Sequence, residues 1–206
     1  MARSATKKPG ERTQQAMKSA QTRARLVEAC ITCLIKHGYS DTTTLKVASE
    51  AGLSRGAMLH HFENGGALMQ ATIAELMDRR LRAFRRGADR EKADVHSLVH
   101  TYWKQMLRPT FTAYVELAIA SRTDKDLARI LEPAQTEFRQ RWYDLAIDLF
   151  PAWQKDRNAF NLALALTQNT IEGMAINRMI HGIDEAMIEP VLDNLEKQIV
   201  DLRPKA

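Results

Sequence analysis

Between Leu26 and Leu202 apolar residues return at spacings of three and four, stretch after stretch, and little interrupts them: 206 residues contain only 9 glycines and 6 prolines. That spacing is the period of a helix with one buried face, whereas a half-buried strand requires alternation. Alternating runs rich in Val, Ile or Thr are nearly absent, so the chain is expected to be all-α. No window approaches the roughly 18 uninterrupted apolar residues of a membrane span. The first residues, MARSATKKPGERTQQAMKSAQTR, lack the apolar stretch of about 7 to 15 residues that a secretory leader requires. A cytoplasmic protein without a membrane partner is expected.

The pattern resolves into successive helices. The first is expected from Ala20 to Lys36, with Leu26, Val27, Cys30, Ile31, Leu34 and Ile35 as its stripe and Gly38 as its stop. Thr43 caps a short second helix that ends near Ala51, Ser54 caps a third that ends near His61, and Asn64 caps a long fourth to about Arg86. Leu68, Ile73, Leu76, Met77, Leu81 and Phe84 are its buried positions. Further helices are expected over Asp94–Leu107, from Pro109, over Asp124–Leu131, Pro133–Phe150, Asp156–His181 and Asp184–Leu202. Pro133 and Pro151 suit helix ends. The helix from Pro109 is apolar almost all round, which predicts a central, buried position.

Charge is unevenly spread. Arg3, Lys7, Lys8, Arg12, Lys18, Arg23 and Arg25 face only Glu11, so the first 25 residues carry +6 of a net +5 and the remainder carries −1. A basic arm ahead of a nearly neutral body suits phosphate neutralisation, and a solvated tail has the same composition. The two cysteines, Cys30 and Cys33, form a single CxxC inside an apolar helical stripe, which reads as core packing. No glycine-rich phosphate loop, nucleophile elbow or HExxH is present, and neither an enzyme nor a bound cofactor is expected.

The second and third helices, joined by Ala51-Gly52-Leu53-Ser54, have the size of a helix-turn-helix, whose second helix enters the DNA major groove. Gly52 stands where the turn needs positive φ, and Val47, Ala48, Leu59 and Phe62 are its expected small core.

The stretch GYSDTTTLKVASEAGLSRGAMLHHFENGGAL, from Gly38 to Leu68, resembles the TetR family of bacterial regulators: a Gly-Tyr turn, a Thr-rich cap, an Ala-Gly-apolar-Ser turn and a short helix closed by His-Phe. The resemblance covers about residues 20 to 70 and implies a homodimeric repressor that binds a pseudopalindromic double-stranded DNA operator. A small hydrophobic effector, taken up by the C-terminal region, would release it. It also places Ser54, Arg55, Gly56, Ala57 and Met58 at the exposed start of the recognition helix. Arg55 suits a bidentate contact with guanine, and Ala57 or Met58 suits a thymine methyl. Thr43, Thr44, Lys46 and His60 resemble phosphate contacts, with His61 beside them at the end of that helix. Where the family has Tyr this chain has His60, and where it has Lys followed by an acid this chain has Gly65 and Gly66.

The resulting organisation is an arm over 1–19, a helix-turn-helix domain over 20–66, a connecting fourth helix over 67–87 and an effector-binding and dimerisation domain over 88–206. Trp103, Met106, Phe111, Tyr114, Trp142 and Met174 are candidate effector contacts, because aromatic and Met side chains suit an apolar cavity. Gly173, Val191, Leu195 and Ile199 on the last two helices are candidates for a four-helix dimer interface. His60 and His61 point about 100° apart on a helix and do not share a metal. His96 and His100, an i, i+4 pair, are better placed for one, although no third ligand stands near, and no metal is expected. Glu116 and Glu172 fall within apolar helices and need partners, for which Arg122 and Arg178 are candidates. A metal- or redox-responsive regulator, and a DNA-binding protein without effector, remain the alternatives.

Overall fold

The computed structural model describes residues 9–90 and 94–204, and these form helices and turns without strands. The helices are α1 (Pro9–His37), α2 (Thr44–Glu50), α3 (Arg55–His61), α4 (Gly65–Arg90), α5 (Val95–Met106), α6 (Pro109–Ala120), α7 (Lys125–Leu149), α8 (Arg157–Met179) and α9 (Ile188–Leu202), with 3-10 turns over Pro151–Lys155 and Glu185–Met187. Among the described residues, no helix is long and apolar enough to cross a membrane.

Several boundaries differ from expectation. Helix α1 starts at Pro9, not Ala20, so Lys18 stands exposed on a helix instead of in an arm, on the same helix as the exposed Arg23 and Arg25. Residues 1–8 of that arm lie outside the described residues. Helix α7 runs unbroken through Pro133. Pro133 is exposed, while Leu127, Leu131, Phe138 and Trp142 on the buried stripe are at most 6% exposed, and their burial outweighs the one backbone bond the ring removes. Helix α6 buries Phe111, Ala113 and Leu117 but leaves Ile119 at 58% exposed, so it is buried on one side only.

The chain divides into two compact units, and the cut falls inside α4 between Glu75 and Leu76, not near residue 88. The first unit adds residues 116–131 to 1–75. Its core is built on α1, where Leu26, Cys30, Ile31, Cys33 and Leu34 are 1% exposed or less. Burial pushes the Cys30 thiol up to about 11, which leaves it a protonated packing group. The added segment is held by polar contacts. Tyr39 Oη donates to Asp124 Oδ2 at 2.7 Å, and the Tyr39 N–H donates to Glu116 Oε2 at 3.4 Å. Burial, then the bond to Asp124, pushes the Tyr39 phenol up to about 12, so it stays a donor.

The second unit comprises Leu76–Val115 and Glu132–Ala206, with α5 against α8 and α9, and α8 against α9. A charge lies inside it. Arg80, whose side chain is 9% exposed, donates through Nη2 to Glu172 Oε1 at 2.5 Å and to Tyr102 Oη at 3.5 Å, and Tyr102 Oη donates to the same carboxylate oxygen at 2.7 Å. The guanidinium carbon also lies 4.6 Å from the ring centroids of both Tyr114 and Phe138. Burial alone lowers the pKa of Arg80, but Tyr102, Glu172 and Tyr114 outweigh it and the net shift is upward. The partners expected for the buried acids are therefore wrong. Glu172 takes Arg80, 92 positions away in sequence, Arg178 bonds Glu185 at 2.9 Å, and Glu116 accepts from a backbone N–H.

Candidate nucleic-acid interface

Helices α1, α2 and α3 pack together in the first unit. Each short helix is fastened at its N-terminus by its own sequence: Thr43 Oγ1 accepts from the Lys46 N–H at 3.3 Å, and Ser54 Oγ accepts from the Ala57 N–H at 3.1 Å. A hydroxyl that accepts in this way still carries an O–H able to donate. Gly52 takes φ +62° in the turn between them, as expected, and the Leu53 N–H donates back to the Ala48 carbonyl at 2.8 Å. Asn64 Oδ1 caps α4 by accepting from the Ala67 N–H at 2.9 Å.

Seven residues of α3 are enough to separate two faces. Met58 and Phe62 lie four apart and are 0% and 2% exposed, so with Val47 and Ala48 they form the inner face. Arg55 and Leu59 lie four apart on the outer face, where Leu59 is 42% exposed. Two expectations are corrected here. Met58 is core and has no access to a base edge, and Leu59 is not core but shares the outer face with Arg55. The spacing to Phe62 carries this signal in the sequence itself.

Ser54, Arg55 and Gly56 are exposed at the start of α3, and Ala57 is half-buried. Thr43 and Thr44 flank the start of α2, and Lys46 pairs with Asp41 at 3.5 Å while 45% of its side chain stays exposed. His60 is exposed, and His61 is half-buried with its carbonyl accepting from Arg23 Nη1. The Arg23 guanidinium stacks 4.1 Å from the Phe62 ring centroid, so this basic residue of α1 fastens the end of α3. Leu45, 64% exposed on α2, is a further apolar group on this surface that the sequence reading did not single out. At Gly65 an added Cβ would stand 3.1 Å from Thr44 Cγ2, and at Gly66 it would stand 3.2 Å from the capping Asn64 Oδ1. The two glycines thus let α4 begin tightly against α2 and its own cap.

The sequence model of the family described as "Bacterial regulatory proteins, tetR family" matches residues 26–72, which contain α2, the turn after it, α3 and the start of α4. An HTH-type transcriptional regulator of Mycobacterium tuberculosis is 32% identical over 170 residues, covering 81% of this chain and 87% of that protein. The chain belongs to the TetR family. This TetR-family chain is a DNA-binding transcriptional regulator of the helix-turn-helix type. It is also 32% identical over 88 residues, 41% of its length and 45% of the relative's, to the HTH-type nicotine-responsive transcriptional repressor of Paenarthrobacter nicotinovorans. In fold it is similar to a TetR family transcription regulator from Marinobacter aquaeolei, with a TM-score of 0.65 and 18% identity over 90% of this chain and 97% of that one.

In the second unit of this TetR-family chain an apolar cavity of about 60 Å³ is walled by Phe84, Leu98, Tyr102, Trp142, Trp153 and Phe160, among others. Of the six effector candidates Trp142 alone lines it. Phe111 and Tyr114 stack on each other beside Arg80, Met106 lines a groove with Arg178 and Glu185, and Trp103 and Met174 are buried at 6% and 8% exposed. An abundance of aromatics does not show which faces converge: Tyr102 lines the cavity, while Trp103, about 100° further round the helix, does not. Two dimer candidates are corrected likewise. Leu195 and Ile199 are 3% and 7% exposed within the single chain, so they belong to its own core. Val191 is half-buried, and a Cβ added at Gly173 meets nothing within 4 Å.

His96 and His100 pair with carboxylates: His96 Nδ1 lies 2.9 Å from Glu196 Oε2, and His100 Nδ1 lies 3.9 Å from Glu189 Oε2. Among the described residues no group of three or more His, Cys, Asp or Glu is placed to hold a metal. The hydrogen bond to Glu196 raises the His96 pKa above the ordinary 6.5, with Asp94 and Asp193 adding to it. A raised folded pKa gives stability that is complete below the unfolded value and fades as pH rises through the folded one. Replacing His96 with glutamine is therefore expected to lower Tm more at pH 5.5 than at pH 8.5. Equal losses at both pH values would remove the charge from this pairing.

Proposed function

We propose that the chain is a ligand-responsive repressor that binds a pseudopalindromic operator as a homodimer and is released by a small hydrophobic effector. The observation that carries the DNA half is the outer face of α3, where Ser54, Arg55, Gly56 and Leu59 stand exposed at the front of a helix fixed from behind by Met58 and Phe62. Arg55 is the long cation of that face and suits the acceptor pair of guanine, while Leu59 and Ala57 suit thymine methyls. Thr43, Thr44, Lys46 and His60 supply donors to phosphates, which hold the protein in register without reading sequence.

The apolar cavity supports an effector of small, carbon-rich character, and the nicotine-responsive relative is by its name a repressor that answers to a small molecule. Dimerisation is supported by the outer side of α8. Leu162, Ile176 and Ile180 are 48%, 39% and 69% exposed, and Gly173 leaves room among them for a second helix.

Arg55→Ala is expected to weaken binding to a specific operator by about 1–3 kcal/mol while changing non-specific binding by one phosphate contact or less. Titration of operator and scrambled duplexes over a salt series measures both, and equal losses on the two would sink the base-reading role. Mass measurement of the operator complex should count an even number of chains. A single chain on the full operator would overturn the dimer. Thermal shift against apolar small molecules tests the effector, and stabilisation by divalent metals alone would favour a metal-responsive regulator.

A further inference from the structure

A second cavity in the same unit has the opposite chemistry. It measures about 470 Å³ and is lined by Arg79, Arg80 and Arg86 of α4, Gln105 of α5, Arg108 of the following turn, and Thr110 in the first turn of α6, together with Ala83 and Pro109. No carboxylate is among the lining residues. The one acid that compensates Arg80, Glu172, is bonded to its Nη2 and lies outside this wall.

Two of the lining side chains are more than nine-tenths buried and carry a nitrogen that donates to nothing: Arg80 Nε, on a side chain 9% exposed, and Gln105 Nε2, on a residue 7% exposed. An unpaired buried donor is costly, about 1–3 kcal/mol and more for a charged group, and the residues that carry these two both line this one cavity. The start of α6, at Pro109 and Thr110, adds the positive end of its helix dipole to the same wall. Every charged side chain around the cavity is a donor, and nothing charged accepts.

We propose that this cavity is a binding site for an oxyanion group, a carboxylate or a phosphate, with Gln105 and Arg80 as its buried donors and Arg86 and Arg108 as its outer clamp. An oxyanion presents several acceptor lone pairs in one plane or fork, which suits arginine donors, whereas a neutral apolar effector offers no acceptor to Gln105 Nε2 or Arg80 Nε. The site is separate from the apolar cavity and stands whether or not that cavity takes an effector.

Isothermal titration of the full chain at fixed ionic strength with sodium phosphate, sodium hexanoate and sodium chloride tests the assignment. Saturable binding of phosphate or hexanoate beyond the chloride control is expected. Gln105→Leu and Arg108→Gln should each weaken it about tenfold or more, the loss for a hydrogen bond to a charged group. Phosphate binding without hexanoate assigns a free inorganic anion or phosphate ester, and hexanoate binding without phosphate assigns a carboxylate on an organic chain. Arg108 is exposed, so Arg108→Gln keeps the test decisive if Gln105→Leu does not fold. No binding above chloride, or binding that Arg108→Gln leaves unchanged, overturns the proposal.

Discussion

Glu172→Ala is expected to destabilise the protein by about 3 kcal/mol, near the lower end for breaking a buried pair because the Glu172 side chain is 26% exposed. The loss comes from what remains. Arg80 keeps its charge, is only 9% exposed, and has lost the carboxylate at 2.5 Å. Tyr102 loses its acceptor in the same step. The double variant Arg80→Met, Glu172→Leu should recover most of that loss, since it removes both charges and keeps the volume filled. Urea unfolding of the three proteins measures the difference. A single-variant loss below about 1 kcal/mol would place the guanidinium in water, as for a surface pair.

Met58→Ala is expected to cost about 2–4 kcal/mol, the range for emptying a fully buried Met site, whereas Leu59→Ala should stay within about 0.5 kcal/mol as a surface change. The contrast is informative because the residues are neighbours on a helix of only seven residues. Met58→Ala should weaken operator and non-specific DNA binding together, through loss of the folded unit. Leu59→Ala should leave Tm unchanged and act on DNA binding alone. Reversed stabilities would exchange the two faces of α3 and move the DNA-reading surface with them.

Local signals carried the DNA-binding half of this chain far. Thr43, Ser54 and Asn64 cap the helices they were expected to cap, and Gly52 takes the positive φ its turn requires. The buried stripe of α4, from Leu68 through Phe84, is buried as its spacing predicts. Even the exchange of Met58 and Leu59 was legible from the four-residue step to Phe62. Pro133 misled because a proline's local cost is small beside an apolar stripe that stays in phase on both sides of it.

The second unit read less well. Trp103, Met106, Phe111, Tyr114, Trp142 and Met174 share a composition but not a cavity, and Leu195 and Ile199 lie on a stripe that the chain itself covers. Nothing near Glu172 in sequence names Arg80, and nothing near Tyr39 names Asp124, 85 positions on.

By itself the sequence determined the all-α class, the helix-turn-helix and the residues that begin its second helix, because caps, turns and the 3.6-residue period are properties of a few neighbouring residues. Tertiary structure alone decided which acid neutralises Arg80, that residues 116–131 join the first unit, and that donors without acceptors gather around one cavity. Those are meetings of helix faces far apart in the chain. Periodicity says that a face is buried, and only packing says against what.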